Sequence, residues 1–260
     1  MPKKIIFMGT PMFSVPIIKS LYQNGYPIEC VYRQPPQKSQ RGQKINKSPI
    51  QKISETLNLE FRSPNSLKEN KEELEFFKSI NADLAIVVAY GQIIPKEFLN
   101  LTKEGFINIH ASILPRWRGA APIQRAIINL DKETGLSIMK IAEELDSGPI
   151  CNTYKINIEG NLNAVEVSER LSSLAAEKIL ENIDDILDGK SNFTEQDHSK
   201  ATYASKIEKS EGKINWNDDA KNIIGKINGL YPSPGAFFLY NGERYKILKA
   251  DIGNGIGNPG

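Results

Sequence analysis

The chain has 260 residues, 40% of them hydrophobic, which is enough to bury a core in one large domain or two smaller ones. Charged residues make up 25% and the net charge is only +2, which disfavours a strongly basic RNA-binding module. Because no apolar run is long enough for a signal-peptide core or a membrane span, we expect a cytoplasmic protein without membrane contact.

Strands and helices are predicted to alternate in the first part of the chain. In chain order they are a strand over Lys4–Met8, a helix over Ser14–Tyr22, a strand over Ile28–Tyr32, helices over Pro49–Leu57 and Leu67–Ile80, and a strand over Asp83–Ala89. The last of these is almost wholly apolar, which is typical of a strand buried on both faces of a parallel sheet. The alternation indicates an α/β doubly wound sheet, in which ligands bind beyond the carboxyl ends of the strands.

A long polar loop, Gln34–Ser48, interrupts this alternation, and loops of such length are usually functional or disordered. It lies within a segment, Cys30–Ser54, that has no acidic residue. The basic residues of that segment are Arg33, Lys38, Arg41, Lys44, Lys47 and Lys52. Such a segment can hold phosphates. The alternative is a solvated surface loop.

The most informative stretch is NIHASILPRWRGAAPIQ, from Asn108 to Gln124. Asn108 and His110 are two positions apart at a predicted strand end, so their side chains share a face. Asp146, in the LDSG sequence Leu145–Gly148, adds a carboxylate. Amide, imidazole and carboxylate together suit an acyl transfer that passes through a tetrahedral oxyanion. The alternatives are a structural histidine and an aspartate that serves only turn geometry.

Other residues near this stretch leave alternatives open. Ser112 and Ser147 lie outside any G-x-S-x-G elbow, so a Ser-His-Asp hydrolase is a weak alternative. Arg116–Arg118 could clamp an anion or stack on a base, or could form an ordinary surface turn.

The cysteines and histidines do not indicate a metal site. Cys30 and Cys151 have no CxxC partner, and the two histidines complete no zinc-ligand spacing. We therefore expect reduced cysteines and no metal.

The remaining elements predict a long helix and a terminal hairpin. In chain order they are a strand over Leu136–Ile141, a helix over Asn163–Leu187, a polar connector over Gly189–Thr202, a helix over Ala220–Asn228, a turn over Leu230–Gly235, and strands over Ala236–Tyr240 and Tyr245–Ala250. Asn241-Gly242 is a favoured pair for a two-residue hairpin turn.

Several motifs resemble those of the methionyl-tRNA formyltransferases, a family of folate-dependent formyltransferases. They are FMGTP at Phe7–Pro11, SP at Ser48-Pro49, VVAYGQIIP at Val87–Pro95, NIHASILPRWRGAAPIQRA at Asn108–Ala126, ETGLSIM at Glu133–Met139, LDSG at Leu145–Gly148, ATYASKI at Ala201–Ile207 and INW at Ile214–Trp216. The H-x-S-x-L-P and D-x-G elements are shared by folate-dependent formyltransferases generally, whereas RWRGAAPIQRA is more specific to the tRNA enzymes. The family usually has P-A-G-R-G in the basic loop; this chain keeps only Arg41-Gly42 of that run.

The resemblance implies a Rossmann-like, doubly wound formyltransferase domain over residues 1–189 and a linker over 190–204. A smaller C-terminal domain over 205–260 would be a partial, truncated β-barrel (OB-like) that contacts tRNA. The implied activity is transfer of the formyl group of 10-formyltetrahydrofolate to the α-amino group of methionyl initiator tRNA, in translation initiation, by a monomer that needs no metal.

The resemblance also implies the roles of individual residues. The catalytic residues would be Asn108, His110 and Asp146. The tetrahydrofolate site would be lined by Ser112, Ile113, Leu114 and Pro115, and we expect Val88, Tyr90 and Gly91, at and just beyond the end of a neighbouring strand, to line it too. The basic loop would grip the acceptor end of the tRNA, with contacts from Arg41, Lys44 and Lys47, and Arg118 would add a further contact.

The sequence leaves three alternative functions open. The first is another formyltransferase of the same fold, acting on an amino sugar nucleotide or a glycinamide nucleotide. The second is a 10-formyltetrahydrofolate hydrolase, in which water replaces the amine. The third is a non-catalytic RNA-binding module that uses the basic loop and Arg116–Arg118, against which the small net charge argues.

Overall fold

The computed structural model describes residues 3–36, 38–39, 44–253 and 255, without the side chains of 38, 39, 44 and 45. Its strands are β1 Ile5–Gly9, β2 Ile28–Tyr32, β3 Lys38–Ser39, β4 Lys44–Ile45, β5 Phe61–Arg62, β6 Leu84–Val88, β7 Phe106–His110, β8 Arg118–Gly119, β9 Glu133–Lys140, β10 Ile150–Asn157, β11 Tyr203–Ala204, β12 Ala236–Tyr240 and β13 Glu243–Ile247. Its helices are α1 Val15–Gln23, α2 Pro49–Thr56, α3 Lys71–Ile80, α4 Lys96–Leu99, α5 Pro122–Ile128, α6 Ala164–Leu187 and α7 Ala220–Leu230.

The main sheet confirms the predicted α/β doubly wound class. Seven strands lie in the order β10-β9-β7-β6-β1-β2-β5. Strand β1 is parallel to both β2 and β6, and β6 is parallel to β7, whereas β9 runs antiparallel to β7. The chain first builds outward through β2 and then crosses to β6 on the other side of β1. Ligands bind at such a reversal of strand order, beyond the carboxyl ends of the strands.

The central strands are buried along their whole length, which explains their uninterrupted apolar sequences. All five residues of β1 and all five of β6 are buried. On one side of the sheet, aromatic rings fill the core, and Phe77 of helix α3 packs against Tyr32, Phe98 and Phe106. This packing fills the core between helix α3 and the sheet.

Helix α3 begins at Lys71, four residues later than the predicted start at Leu67. Asn70 is its N-cap, and the Asn70 side chain accepts a hydrogen bond from Glu73 N at 3.2 Å. An asparagine in this position satisfies a backbone N–H that has no partner within the first turn. The apolar Leu67 is buried in the core but lies outside the helix.

The described chain divides into two compact units that interleave along the sequence. The first unit comprises Met1–His110, Ser137–Asn152 and Ser172–Gln196, and the second comprises Ala111–Leu136, Thr153–Leu171 and Asp197–Gly260. The predicted boundaries at residues 189 and 205 stay a prediction.

In the second unit, the terminal hairpin is confirmed. Strands β12 and β13 pair antiparallel around Asn241 and Gly242, whose φ angles of 50° and 80° are those of a primed hairpin turn. Helix α7 packs against helix α5 through glycine: a Cβ at Gly229 would lie 2.6 Å from Ile128 Cγ1 and 3.0 Å from Gln124 O. Among the described helices of both units, none has the length and apolarity needed to cross a bilayer.

Candidate active site

Asn108 and His110 occupy alternate positions at the carboxyl end of strand β7, so one face of the strand carries both side chains. The antiparallel neighbour β9 places Met139 beside Asn108 and Ser137 beside His110. His110 is 6% exposed and Asn108 is partly buried. An amide and an imidazole therefore lie side by side in a mostly dry environment, where hydrogen bonds to a developing charge are strong.

Asp146 reaches both of these side chains. Asn108 Nδ2 donates a hydrogen bond to Asp146 Oδ1 at 3.2 Å, and His110 Nδ1 lies 3.6 Å from Asp146 Oδ2. The second distance is longer than a hydrogen bond, so the carboxylate acts on the imidazole through its charge. The Asp146 side chain is 15% exposed, and limited exposure weakens solvent screening of this attraction. The carboxylate predicted from the sequence thus contacts both the amide and the imidazole.

The turn that carries Asp146 has an unusual backbone. Asp146 itself is left-handed, with φ of 47°, a conformation that Asp tolerates better than most residues. Two residues later, a Cβ at Gly148 would lie only 2.0 Å from Lys140 O. In the D-x-G sequence, the aspartate therefore supplies the carboxylate, and the glycine lets the turn approach the end of strand β9.

Gly148→Ala is expected to lower kcat, because the turn must move away from Lys140 and take Asp146 with it. Overpacking of this kind commonly costs about 1–3 kcal/mol of stability. Steady-state kinetics and thermal unfolding would be measured on the same variant. Gly160→Ala is the matched control: it adds a methyl group at a left-handed glycine with no atom within 4 Å, so it should lose stability and keep kcat. An unchanged kcat in Gly148→Ala would show that the turn tolerates displacement.

Gln196, which the sequence analysis did not single out, contacts the same turn. Its Nε2 donates to Asp146 O at 2.9 Å and to Gly148 O at 2.7 Å. The residue lies 50 positions after Asp146 in what the sequence predicts only as a polar connector. No local signal in the sequence relates the two.

The predicted folate-lining residues of the first unit meet at the reversal of strand order. Thr10 Oγ1 donates to Tyr90 O at 3.0 Å and accepts from Gln34 N at 3.1 Å, and Gln34 Nε2 donates to Gly91 O. The side chains of Val88 and Tyr90 are buried in the core, and burial raises the pKa of the Tyr90 phenol. Tyr90 therefore offers its backbone to this edge of the sheet, and Gly91 is exposed there.

The predicted folate-lining residues of the second unit form a tight turn. Ser112 is fully buried, and Ser112 Oγ donates to Arg116 O at 2.7 Å. Leu114 is buried, whereas Ile113 and Pro115 are partly exposed. The Ser112 hydroxyl therefore has a structural contact, which argues against its use as a nucleophile.

Asp131 orders the arginine and tryptophan that follow this turn. Arg116 makes a bidentate ion pair with the carboxylate, and Trp117 Nε1 donates to it at 2.7 Å. The Arg116 guanidinium also stacks over the Trp117 ring. Burial alone would raise the pKa of Asp131, but hydrogen bonds from Arg116, Trp117 and Asn129 hold that pKa below its usual range.

The four residues predicted to contact tRNA differ in whether the structure describes them and in how exposed they are. Arg41 lies outside the described residues, and Lys44 is described only by its backbone in strand β4. Lys47 is exposed and pairs with Glu55 at 2.8 Å. Arg118 is only 2% exposed, and its Nη2 lies 3.1 Å from His198 Nδ1. The assignment of Arg118 to a tRNA contact is corrected, because its buried guanidinium bonds within the protein.

A basic groove in the second unit was not foreseen from the sequence. Its cationic lining side chains are Lys206, Lys209, Arg244 and Lys246, and none of the described residues that line it is acidic. Arg244 is braced by stacking over the Phe237 ring at 3.7 Å. Over the described ranges, no three His, Cys, Asp or Glu residues are grouped so as to hold a metal ion.

The chain is similar in sequence and in fold to known formyltransferases. A family model described as formyl transferase matches residues 3–183, and one described as formyl transferase, C-terminal domain, matches 206–260. The methionyl-tRNA formyltransferase of Pelagibacter ubique is 66% identical over 260 residues, which are 100% of this chain and 84% of that protein. The methionyl-tRNA formyltransferase of Brucella canis is 42% identical over 262 residues, covering 99% of this chain and 85% of that protein. An N-formyltransferase structure from Helicobacter canadensis, in complex with folinic acid and dTDP-3-aminofucose, is 20% identical with a TM-score of 0.74, covering 98% of this chain and 89% of that one.

Proposed function

This chain belongs to the methionyl-tRNA formyltransferase family, and we propose that it transfers the formyl group of 10-formyltetrahydrofolate to the α-amino group of methionine esterified to initiator tRNA. The observation that carries the proposal is the contact of Asp146 with both Asn108 and His110. This arrangement supplies a pair of oxyanion donors and a neighbouring proton acceptor, which formyl transfer to an amine requires.

The first step is attack of the amine nitrogen on the formyl carbon, which places negative charge on the carbonyl oxygen. Asn108 has two N–H groups, and the one not bonded to Asp146 is assigned to this oxyanion. Protonated His110 is assigned as the second donor. The Asp146 carboxylate, 3.6 Å from His110 Nδ1, stabilises the imidazolium by opposite charge.

The second step is collapse of the tetrahedral intermediate. The bond from the formyl carbon to the folate nitrogen breaks, while the new bond to the methionine nitrogen is kept. The amine loses a proton and the folate nitrogen gains one, and Asp146 is assigned the relay of this proton, directly or through water. The products are N-formylmethionyl-tRNA and tetrahydrofolate.

The folate donor is assigned to the carboxyl end of strand β6 and the turn that follows it. The residues there are Val88, Tyr90 and Gly91 of the first unit, where the exposed glycine and the Tyr90 backbone offer polar groups at the carboxyl ends of parallel strands. The assignment of Ser112, Ile113, Leu114 and Pro115 to the folate stays a separate proposal that is argued from their own turn alone, where Ile113 and Pro115 are partly exposed apolar residues.

The tRNA is assigned to the basic groove of the second unit, in addition to Arg41, Lys44 and Lys47 of the basic loop. The four cations of the groove can neutralise backbone phosphates, and release of phosphate counterions supplies much of the affinity for nucleic acid. The small net charge of the whole chain does not oppose this, because the four cations have no acidic residue among the described residues that line the groove with them.

Neutralising the groove with Lys206→Gln and Lys209→Gln is expected to raise the KM for charged tRNA and to reduce its dependence on salt. Each lost phosphate contact should lower the slope of log affinity against log salt by about one unit. Kinetics from low to moderate salt would measure both. The matched control neutralises the exposed Lys68 and Lys71, and it should change neither quantity. An unchanged salt slope in the groove variant would contradict the assignment.

The proposed function is tested by a formylation assay with methionylated initiator tRNA and 10-formyltetrahydrofolate. An amino sugar nucleotide and a glycinamide nucleotide are offered as acceptors in parallel reactions. Formyl transfer to the tRNA alone is expected. Transfer to one of the nucleotides, or release of formate without tRNA, would instead establish one of the rival activities.

A further inference from the structure

We infer that Gln196 is a positioning residue for the proposed formyl transfer, since it holds the turn at 146–148 so that the Asp146 carboxylate faces Asn108 and His110. The inference rests on the proposed function of those three residues. It gives the segment after helix α6 a role in the chemistry beyond that of a connector.

Gln196 contacts the backbone of the turn at two points. It is 6% exposed, and its amide nitrogen donates to two carbonyl oxygens of one turn, Asp146 O and Gly148 O. One side-chain NH2 group therefore bridges the backbone on both sides of Ser147. A bridge of this kind fixes the orientation of the peptide group that follows Asp146 and of the one that follows Gly148, and so limits the direction of the Asp146 side chain.

The turn gains from such support because it contains a left-handed residue and has little apolar packing beside it. Asp146 is left-handed, and the neighbouring Leu145 is 63% exposed and contributes little packing. A left-handed backbone is less favourable than a right-handed one for an L-residue, although aspartate adopts it more readily than most. Since Asp146 has that cost without apolar burial beside it, hydrogen bonds to the turn are what keep it in place.

The segment that carries Gln196 is itself anchored beside the turn. Thr194 and Ile150 exchange two backbone hydrogen bonds, at 2.8 and 2.9 Å. Lys140 Nζ lies 4.6 Å from the centre of the Phe193 ring, and Lys140 O is the atom that Gly148 approaches. The segment that carries Gln196 is therefore in contact with the chain on both sides of the turn, at Lys140 before it and at Ile150 after it.

Gln196→Met removes the two donors and keeps the side-chain volume. We expect kcat for formyl transfer to fall by up to about 100-fold, as small misplacements of a catalytic group do, with KM for the tRNA little changed. Glu195→Ala, at the exposed neighbouring position, is the matched control and should keep the wild-type kcat. If wild type formylates tRNA and Gln196→Met retains full kcat, the inference is overturned; if wild type does not formylate tRNA, the proposed function itself fails.

A double-mutant cycle separates positioning of Asp146 from general support of the fold. In an Asp146→Ala background there is no carboxylate to orient, so adding Gln196→Met is expected to lower kcat no further. An equal loss of kcat in both backgrounds would overturn the inference. Single-turnover formylation measures the residual rates, and thermal unfolding reports the stability of each variant.

A second variant keeps the test decisive should Gln196→Met fold poorly. At neutral pH, the carboxylate of Gln196→Glu has no proton to donate and faces two carbonyl oxygens. Protonation restores one donor, and burial favours the protonated form. Its kcat relative to wild type is therefore expected to rise as the pH falls, and a ratio independent of pH would count against the positioning role.

Discussion

Asn108→Ala and His110→Ala are each expected to lower kcat for formyl transfer by about 10²–10³-fold, the usual cost of removing one oxyanion donor. The loss should appear in kcat more than in the KM of the folate donor, because these side chains stabilise charge that exists only once the amine has attacked. Asn108→Ala also removes a hydrogen bond to Asp146 Oδ1, so its loss includes any displacement of the carboxylate.

Steady-state kinetics at saturating tRNA would measure this effect. Asn24→Ala is a matched control at an exposed position outside the proposed site, and it should turn over normally. Near-normal turnover in His110→Ala would mean that the imidazole does not bind the oxyanion. In that case the proposed mechanism would need a different second donor.

Asp146→Asn is expected to lower kcat by about 10²–10⁴-fold, the range that positioned acid–base groups contribute. The substitution keeps the size of the side chain but removes its charge and its ability to take up a proton. The carboxylate now lies 3.2 Å from Asn108 Nδ2 and 3.6 Å from His110 Nδ1, so both the proton relay and the attraction to an imidazolium would be lost.

This second prediction is measured by kcat together with thermal unfolding. Asp184→Asn, on the exposed surface of helix α6, is the matched control and should leave kcat unchanged. A normal kcat in Asp146→Asn would leave Asp146 a structural role only, and the proton would need another route.

Strands and helices were predicted correctly where the local pattern of apolar residues in the sequence matches the burial of those residues in the structure. The apolar runs of strands β1 and β6 predicted a buried parallel sheet, and the Asn241-Gly242 pair predicted the hairpin. Strand β10 was missed because its residues are only half-buried or exposed, so its apolar pattern is weak. Helix α5 was also missed: it has seven residues, fewer than periodicity needs to distinguish a short helix from a loop.

The sequence by itself determined that an amide and an imidazole lie side by side, because Asn108 and His110 are two positions apart in a strand and the period of a strand is two. Only the tertiary structure decided which distant groups meet them. Asp146 lies 38 residues beyond Asn108, and Gln196 lies 50 beyond Asp146. It also decided that Arg118 is buried rather than available to phosphates. The physical reason is that local periodicity sets the face of a side chain, whereas the packing of the whole chain sets its partners and its burial.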